Sequence, residues 1–115
     1  MRLVTRGDLD GLTCSVLITS VERIDAIELV HPQSLTDGQF EVRDGDVIAN
    51  LPYHPRCGLW FDHHELVDAN PRPVAAFQGR YGLAPSTARL VYDYYVEKRG
   101  PKVFELFGEL LEGTD

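Results

Sequence analysis

The sequence has no run approaching the roughly 18 apolar residues needed to cross a bilayer. Its best stretch, Cys14 to Ile18, is broken by Ser15 and bounded by Thr19 and Ser20, so no membrane partner is expected. Basic excess is also missing: 11 Lys and Arg against 18 Asp and Glu leave a formal net charge of −7, which argues against a surface for duplex nucleic acid. That charge does not exclude a small phosphorylated substrate held by metal ions. Cysteine is scarce, and Cys14 and Cys57, far apart and without C-x-x-C spacing, read as buried reduced thiols. The first residues reach an acidic loop too soon for a signal peptide's apolar core of about 7–15 residues, so the expected address is cytoplasmic. Repeats and low-complexity segments are lacking. With 43% hydrophobic and 25% charged residues over 115 positions, disorder, collagen and coiled coil are excluded and one small domain is expected.

What is present reads as alternating strands and helices. Arg2 to Thr5 is short and β-branched and stops at Arg6-Gly7-Asp8, the pattern of a buried strand ending in a turn. Leu12, Val16, Leu17 and Val21 then recur at helical spacing between Gly11 and Arg23, with Asp8 or Asp10 placed to accept the first free N–H groups. Ala26 to Val30 is a second strand stopped by His31-Pro32, and Ser34 to Asp44 a polar loop turning at Asp37-Gly38. Asp46 to Leu51 and Gly58 to Phe61 are two further strands. Residues 65–82, with Pro71, Pro73, Gly79 and Gly82, read as a loop with at most one short extended piece. Ala84, Ala88, Val91 and Tyr95, behind Pro85, mark a helix ending at Gly100-Pro101. A last helix from Pro101 to about Glu112 sets Val103, Leu106, Phe107, Leu110 and Leu111 on one face.

This order predicts an α/β domain with a largely parallel sheet of about four strands flanked by helices, its ligands beyond the carboxyl ends of the strands. One link resists the scheme. Pro52 to Cys57 is shorter than the dozen or more residues usual for a parallel crossover, so it is either an extended crossover or a sign that the strands pair differently.

Two polar clusters stand at predicted strand ends. In Arg6-Gly7-Asp8-Leu9-Asp10-Gly11 the two carboxylates point the same way on extended backbone and can converge on one cation or a pair; a helix cap with a solvated loop is the plainer alternative. In Trp60-Phe61-Asp62-His63-His64-Glu65, adjacent imidazoles offer metal ligands and Asp62 can orient one of them. Ser86-Thr87 begins a helix and reads first as a cap and second as a phosphate cradle. Tyr92, Tyr94 and Tyr95 read as helix packing, and Glu97-Lys98-Arg99 as a solvated helix end.

Asp8-Leu9-Asp10-Gly11 followed by Asp62-His63-His64 resembles the DHH phosphoesterase superfamily, whose members include family II inorganic pyrophosphatases, exopolyphosphatases, single-strand exonucleases and small-RNA phosphodiesterases. The strings around these residues, with Asn50-Leu51-Pro52-Tyr53 and Ala84-Pro85-Ser86-Thr87-Ala88-Arg89, look most like its exopolyphosphatase-like bacterial branch. The resemblance spans nearly the whole chain and implies the front part of a DHH domain over residues 1–115, without the last metal motif and the C-terminal companion domain. It implies divalent metal, manganese with magnesium as the alternative, on Asp8, Asp10 and His63, with Asp115 as a further carboxylate. It implies His64 facing the substrate phosphate and Asp62 in support.

Two positions depart from the pattern. Arg6 stands where many members have a histidine ligand; a guanidinium has no lone pair for a metal and pairs instead with phosphate oxygens. Asn50 stands where a bridging aspartate is common, leaving a neutral amide for the substrate side. Asp8, Asp10 and Asp115 bring a formal −3 against +4 for two divalent ions, so the expectation is one firmly held metal and a second arriving with the anionic substrate. The implied activity is metal-assisted hydrolysis of a phosphoanhydride such as polyphosphate or pyrophosphate, with His64, Asp62 and Arg6 as catalytic residues. A short phosphodiester ranks second. The competing class is a non-catalytic metal- or phosphate-binding fragment, inactive alone or forming a homo-oligomer through Phe104, Leu106, Phe107 and Leu110.

Overall fold

Alternation along the short strands sets the architecture. In the computed structural model, which describes residues 1–65 and 77–115, β1 (Arg2–Thr5) sends Leu3 to one face of the sheet and Val4 to the other. Both faces are covered, so β3 (Val47–Ala49) and β4 (Leu59–Asp62) are buried along their whole length, as central parallel strands should be. With β2 (Ala26–Leu29) and β5 (Gly79–Tyr81) they form a five-stranded, wholly parallel sheet in the order β2-β1-β3-β4-β5. The fifth strand, absent from the four expected, comes from the segment read as loop. It carries Gly79 at φ +122, where a Cβ would lie 2.0 Å from the Trp60 carbonyl oxygen, so local sequence masks a strand that only pairing with β4 creates.

One face of the sheet carries α1 (Leu9–Val21), α3 (Thr87–Arg99) and α4 (Gly108–Thr114). There Leu3, Val47, Ala49 and Phe61 meet Cys14, Leu17, Ile18, Ala88, Val91 and Tyr95. The buried stripe of α1 is thus Cys14, Leu17 and Ile18, whereas Leu12 and Val16 are exposed; an all-round apolar helix cannot say which face turns inward. The opposite face packs Val4, Ile48 and Trp60 against Val30, Leu35, Val42 and Leu51. Leu35 comes from a short helix, α2 (Pro32–Thr36), that runs into the stretch from Ser34 expected to be loop; His31 caps it through Nδ1 and Pro32 opens it.

β3 and β4 do pair in parallel, joined by residues 50–58 as an extended crossover. Asn50 opens it at φ +62, and the Trp60 indole N–H, donating to the Leu51 carbonyl at 2.9 Å, pins it to the sheet. The expected last helix is broken into turns, a 3₁₀ segment Glu105–Phe107 and α4. The break at Phe104, φ −118 and ψ 29, turns its ring into the core, so Phe104 is withdrawn from the apolar surface proposed for oligomer contact, while Leu106 is 91% exposed. Cys14 is buried and Cys57 half-buried, both reduced. Among the described residues no helix is long and apolar enough to cross a membrane.

Candidate active site

The two clusters meet at the carboxyl ends of β1 and β4. Asp8 caps α1, its Oδ1 accepting from the Gly11 N–H at 2.8 Å, and a Cβ on Gly11 would fall 1.9 Å from the Arg6 carbonyl oxygen, so only glycine permits this tight turn. Asp8 is also held by the Asn50 side-chain N–H at 3.1 Å and lies 3.5 Å from the Arg6 Nε. Asn50 is itself fixed, because its amide oxygen accepts from the Thr87 hydroxyl at 3.1 Å. Its two amide ends therefore go to Asp8 and Thr87 before any substrate arrives, although the residue borders a cavity.

Asp10 has different surroundings. The backbone N–H groups of Thr87 and Ala88, each at 2.9 Å, donate to its two oxygens, so the carboxylate sits on the free N-terminal donors of α3. Ser86 caps the same helix by accepting from the Arg89 N–H at 3.0 Å. Capping, then, engages the donors that a phosphate cradle at Ser86-Thr87 would need. Burial raises the thiol pKa of nearby Cys14 well above its ordinary value, with Asp10 adding to the effect.

His63 Nδ1 lies 3.1 Å from the Ala84 carbonyl oxygen, which only accepts, so Nδ1 carries the proton and Nε2 faces Asp10 Oδ2 at 3.5 Å. Asp62 orients the other histidine: its Oδ1 meets His64 Nδ1 at 2.6 Å and accepts from the His64 N–H at 3.3 Å. Burial pushes the Asp62 carboxyl up and the His64 contact opposes it. The Tyr81 hydroxyl, donating to the His64 carbonyl at 2.5 Å, holds this turn from β5. Asp115 is not drawn into the aspartate pair. Its carboxylate accepts from the Ser86 hydroxyl at 2.7 Å and from Arg89 at 2.5 Å.

The donor set offers a pair of ligands for a divalent cation and not a complete site among the described residues. An imidazole nitrogen with its far side locked and a carboxylate oxygen facing it are a chelating pair, and Asp8 lies two residues away on the same turn. Arg6 already neutralises Asp8 from the other side. Among the described residues no three His, Cys, Asp or Glu side chains stand close enough to hold a metal by themselves. Two cavities flank Arg6. A smaller one of about 140 Å³ is lined by Arg6, Pro32, Asn50, Pro52, Asp62, His64 and Glu65, and a larger one of about 380 Å³ by Arg6, Gly7, Asp8, Leu29, Val30, His31 and Pro32.

Neither a family model nor a curated protein matches the chain. A solved structure does: the pGpG-specific phosphodiesterase PggH from Vibrio cholerae, 42% identical, superposes with a TM-score of 0.75 over 98% of this chain. The fold is consistent with the N-terminal part of a DHH-type domain. The chain spans 35% of the length of that phosphodiesterase. The likeness supports the DHH superfamily and does not extend to the exopolyphosphatase-like branch. Sequence reasoning missed the residues that position the site: the Ala84 carbonyl, the Tyr81 hydroxyl, and the Thr87 and Ala88 N–H groups. Only the last two carried a signal, the Ser86-Thr87 helix start; a backbone carbonyl leaves none.

Proposed function

We propose that this chain forms part of a metal-dependent phosphodiesterase for a short oligonucleotide such as the dinucleotide pGpG. The observation that carries this is the 42% identity with a pGpG-specific phosphodiesterase across almost all of this chain. Nothing comparable favours the phosphoanhydride substrates ranked first on sequence. Residues 1–115 are taken as the front part of a DHH domain, the last metal motif and a companion domain lying in the rest of the protein, and the isolated chain as inactive.

In this reading Asp10 and His63 supply two ligands of one divalent ion, manganese or magnesium, and Asp8 completes the set only by turning from Arg6. When bound it supplies Lewis acidity at the phosphoryl oxygens. Arg6, anchored near Asp8 yet about a third exposed, donates to the phosphate and stabilises charge as the bond to the leaving oxygen breaks. His64, gripped by Asp62 through Nδ1, keeps Nε2 for the substrate; as the imidazolium it would give its Nε2 proton to that oxygen and regain one from the attacking water. Water adds to phosphorus, the bond to the 3′ oxygen breaks, and pGpG yields two guanosine monophosphates.

The test is product analysis on the full-length protein with manganese, offered pGpG, pyrophosphate and polyphosphate separately. Release of guanosine monophosphate is expected; release of inorganic phosphate from the other two without cleavage of pGpG would restore the phosphoanhydride reading. Calorimetric manganese binding, lost in both Asp10→Ala and His63→Ala, checks the ligand set apart from turnover.

A further inference from the structure

The larger cavity beside Arg6 is bordered by Asp8 and Arg6, but the rest of its lining has no part in the chemistry above. It lies on the β2 side of Arg6, walled by Leu29, Val30, Pro32 and His31 with Gly7 at its edge, and Arg6 and Pro32 separate it from the cavity that holds His64 and Asp62. At about 380 Å³ it falls in the range of small-molecule sites, whereas about 140 Å³ on the other side suits a phosphate group better than a nucleoside.

Three features mark it as a place for a flat, largely apolar ring with a polar edge. Leu29, at a strand end, is 57% exposed, an aliphatic surface with no cover of its own. Gly7 is not at positive φ, so its backbone does not demand glycine. A Cβ there would merely touch Leu29 Cδ1 at 3.7 Å, so any longer side chain at position 7 would grow against that wall, and glycine keeps the space open. His31 accepts from the Gln33 N–H through Nδ1 at 3.0 Å, which holds the ring and leaves Nε2–H as a donor. Nucleobases stack on imidazole and guanidinium planes and are read by such edge donors.

The geometry points to this cavity as the seat of a nucleobase, that of the nucleotide whose phosphate lies on Arg6. The inference rests on the phosphodiesterase reading and adds a specificity pocket formed by Gly7, Leu29 and His31.

The test is calorimetry on the full-length protein with two probes, guanosine monophosphate and inorganic phosphate, for the wild type, Gly7→Val and Leu29→Ala. Guanosine monophosphate should bind the wild type at least about tenfold more tightly than phosphate. Gly7→Val should erase that difference with phosphate binding kept within about twofold, and Leu29→Ala should weaken the nucleotide about threefold. Equal binding of the two probes by the wild type, or full nucleotide selectivity in both variants, overturns the proposal. Circular dichroism melts accompany each variant, and if Gly7→Val does not fold, Leu29→Ala decides alone. pGpG hydrolysis is followed in parallel: an inactive wild type that still prefers the nucleotide would sink the phosphodiesterase reading and leave the pocket standing.

Discussion

The two sides of the β1 carboxyl end are built differently. Toward α3, Asp10 is 17% exposed and engaged by two backbone N–H groups and by His63, with Cys14 and Tyr95 buried in the same layer. Toward β2, Asp8 is 46% exposed, faces Arg6 and opens on the larger cavity. Two carboxylates of identical chemistry, two residues apart, therefore do unequal work. The α3 side joins the site to the stability of the domain, whereas the β2 side can vary its lining with little effect on folding.

Substitutions can break this contrast in order of size. Gly11→Ala, forcing a Cβ into the Arg6 carbonyl between the two carboxylates, should remove on the order of 4 kcal/mol in urea denaturation and abolish the contrast with the turn itself. Asp10→Ala strips the carboxylate from the α3 N-terminus and should lower stability by about 2–3 kcal/mol as well as removing activity. Asp8→Ala loses an N-cap in a more open setting and should cost about 1 kcal/mol with a comparable loss of activity. Equal stability losses for the two aspartates would refute the comparison.

Alkaline pH should act on the α3 side. Burial raises the Cys14 thiol above its ordinary 9.0 and the Tyr95 phenol, which donates to Glu22 at 2.8 Å, above its ordinary 10.0. Both groups stay protonated in the folded state after the unfolded chain has lost its protons. Their stabilisation is therefore complete below those values and declines as pH rises past them, by up to about 1.4 kcal/mol per pH unit per group. Tyr95→Phe should flatten the decline above pH 10 in denaturation curves recorded from pH 8 to 11. The smallest effect belongs to Arg6→Ala: stability within about 0.5 kcal/mol of wild type, since the Asp8 pair is solvent-screened, with a raised KM for the phosphorylated substrate.

Much of the fold was legible because its signals are local. β1, β2, β4, α1 and α3 announce themselves through apolar runs, helical spacing and the Asp8 and Ser86 caps. β5 was legible only as the one short extended piece allowed within residues 65–82 and not as a strand of the sheet, because Gly79-Arg80-Tyr81 has no strand signature and is extended by its ladder with β4. The inner face of α1 was misjudged because apolar residues surround that helix, and the last helix because Phe104 leaves helical geometry to reach the core. At the site, Asp8, Asp10, Asp62, His63 and His64 stood out by type and by position at strand ends. The commitment of Asn50 to Asp8 and Thr87, and of Asp115 to Arg89, did not, since both partnerships join residues more than twenty positions apart.

The sequence by itself determined the α/β class, the parallel sheet and the two clusters of metal-type ligands, because apolar periodicity, glycine at a tight turn and side-chain chemistry act within a few residues. Tertiary structure alone decided that Asp10 sits on the α3 N-terminus facing His63, that Asp62 grips His64 and not His63, and that Arg6 divides two cavities of different size. Except for the Asp62–His64 contact, which lies within one turn, those facts depend on which strand lies beside which, and pairing order is settled by packing across the whole sheet.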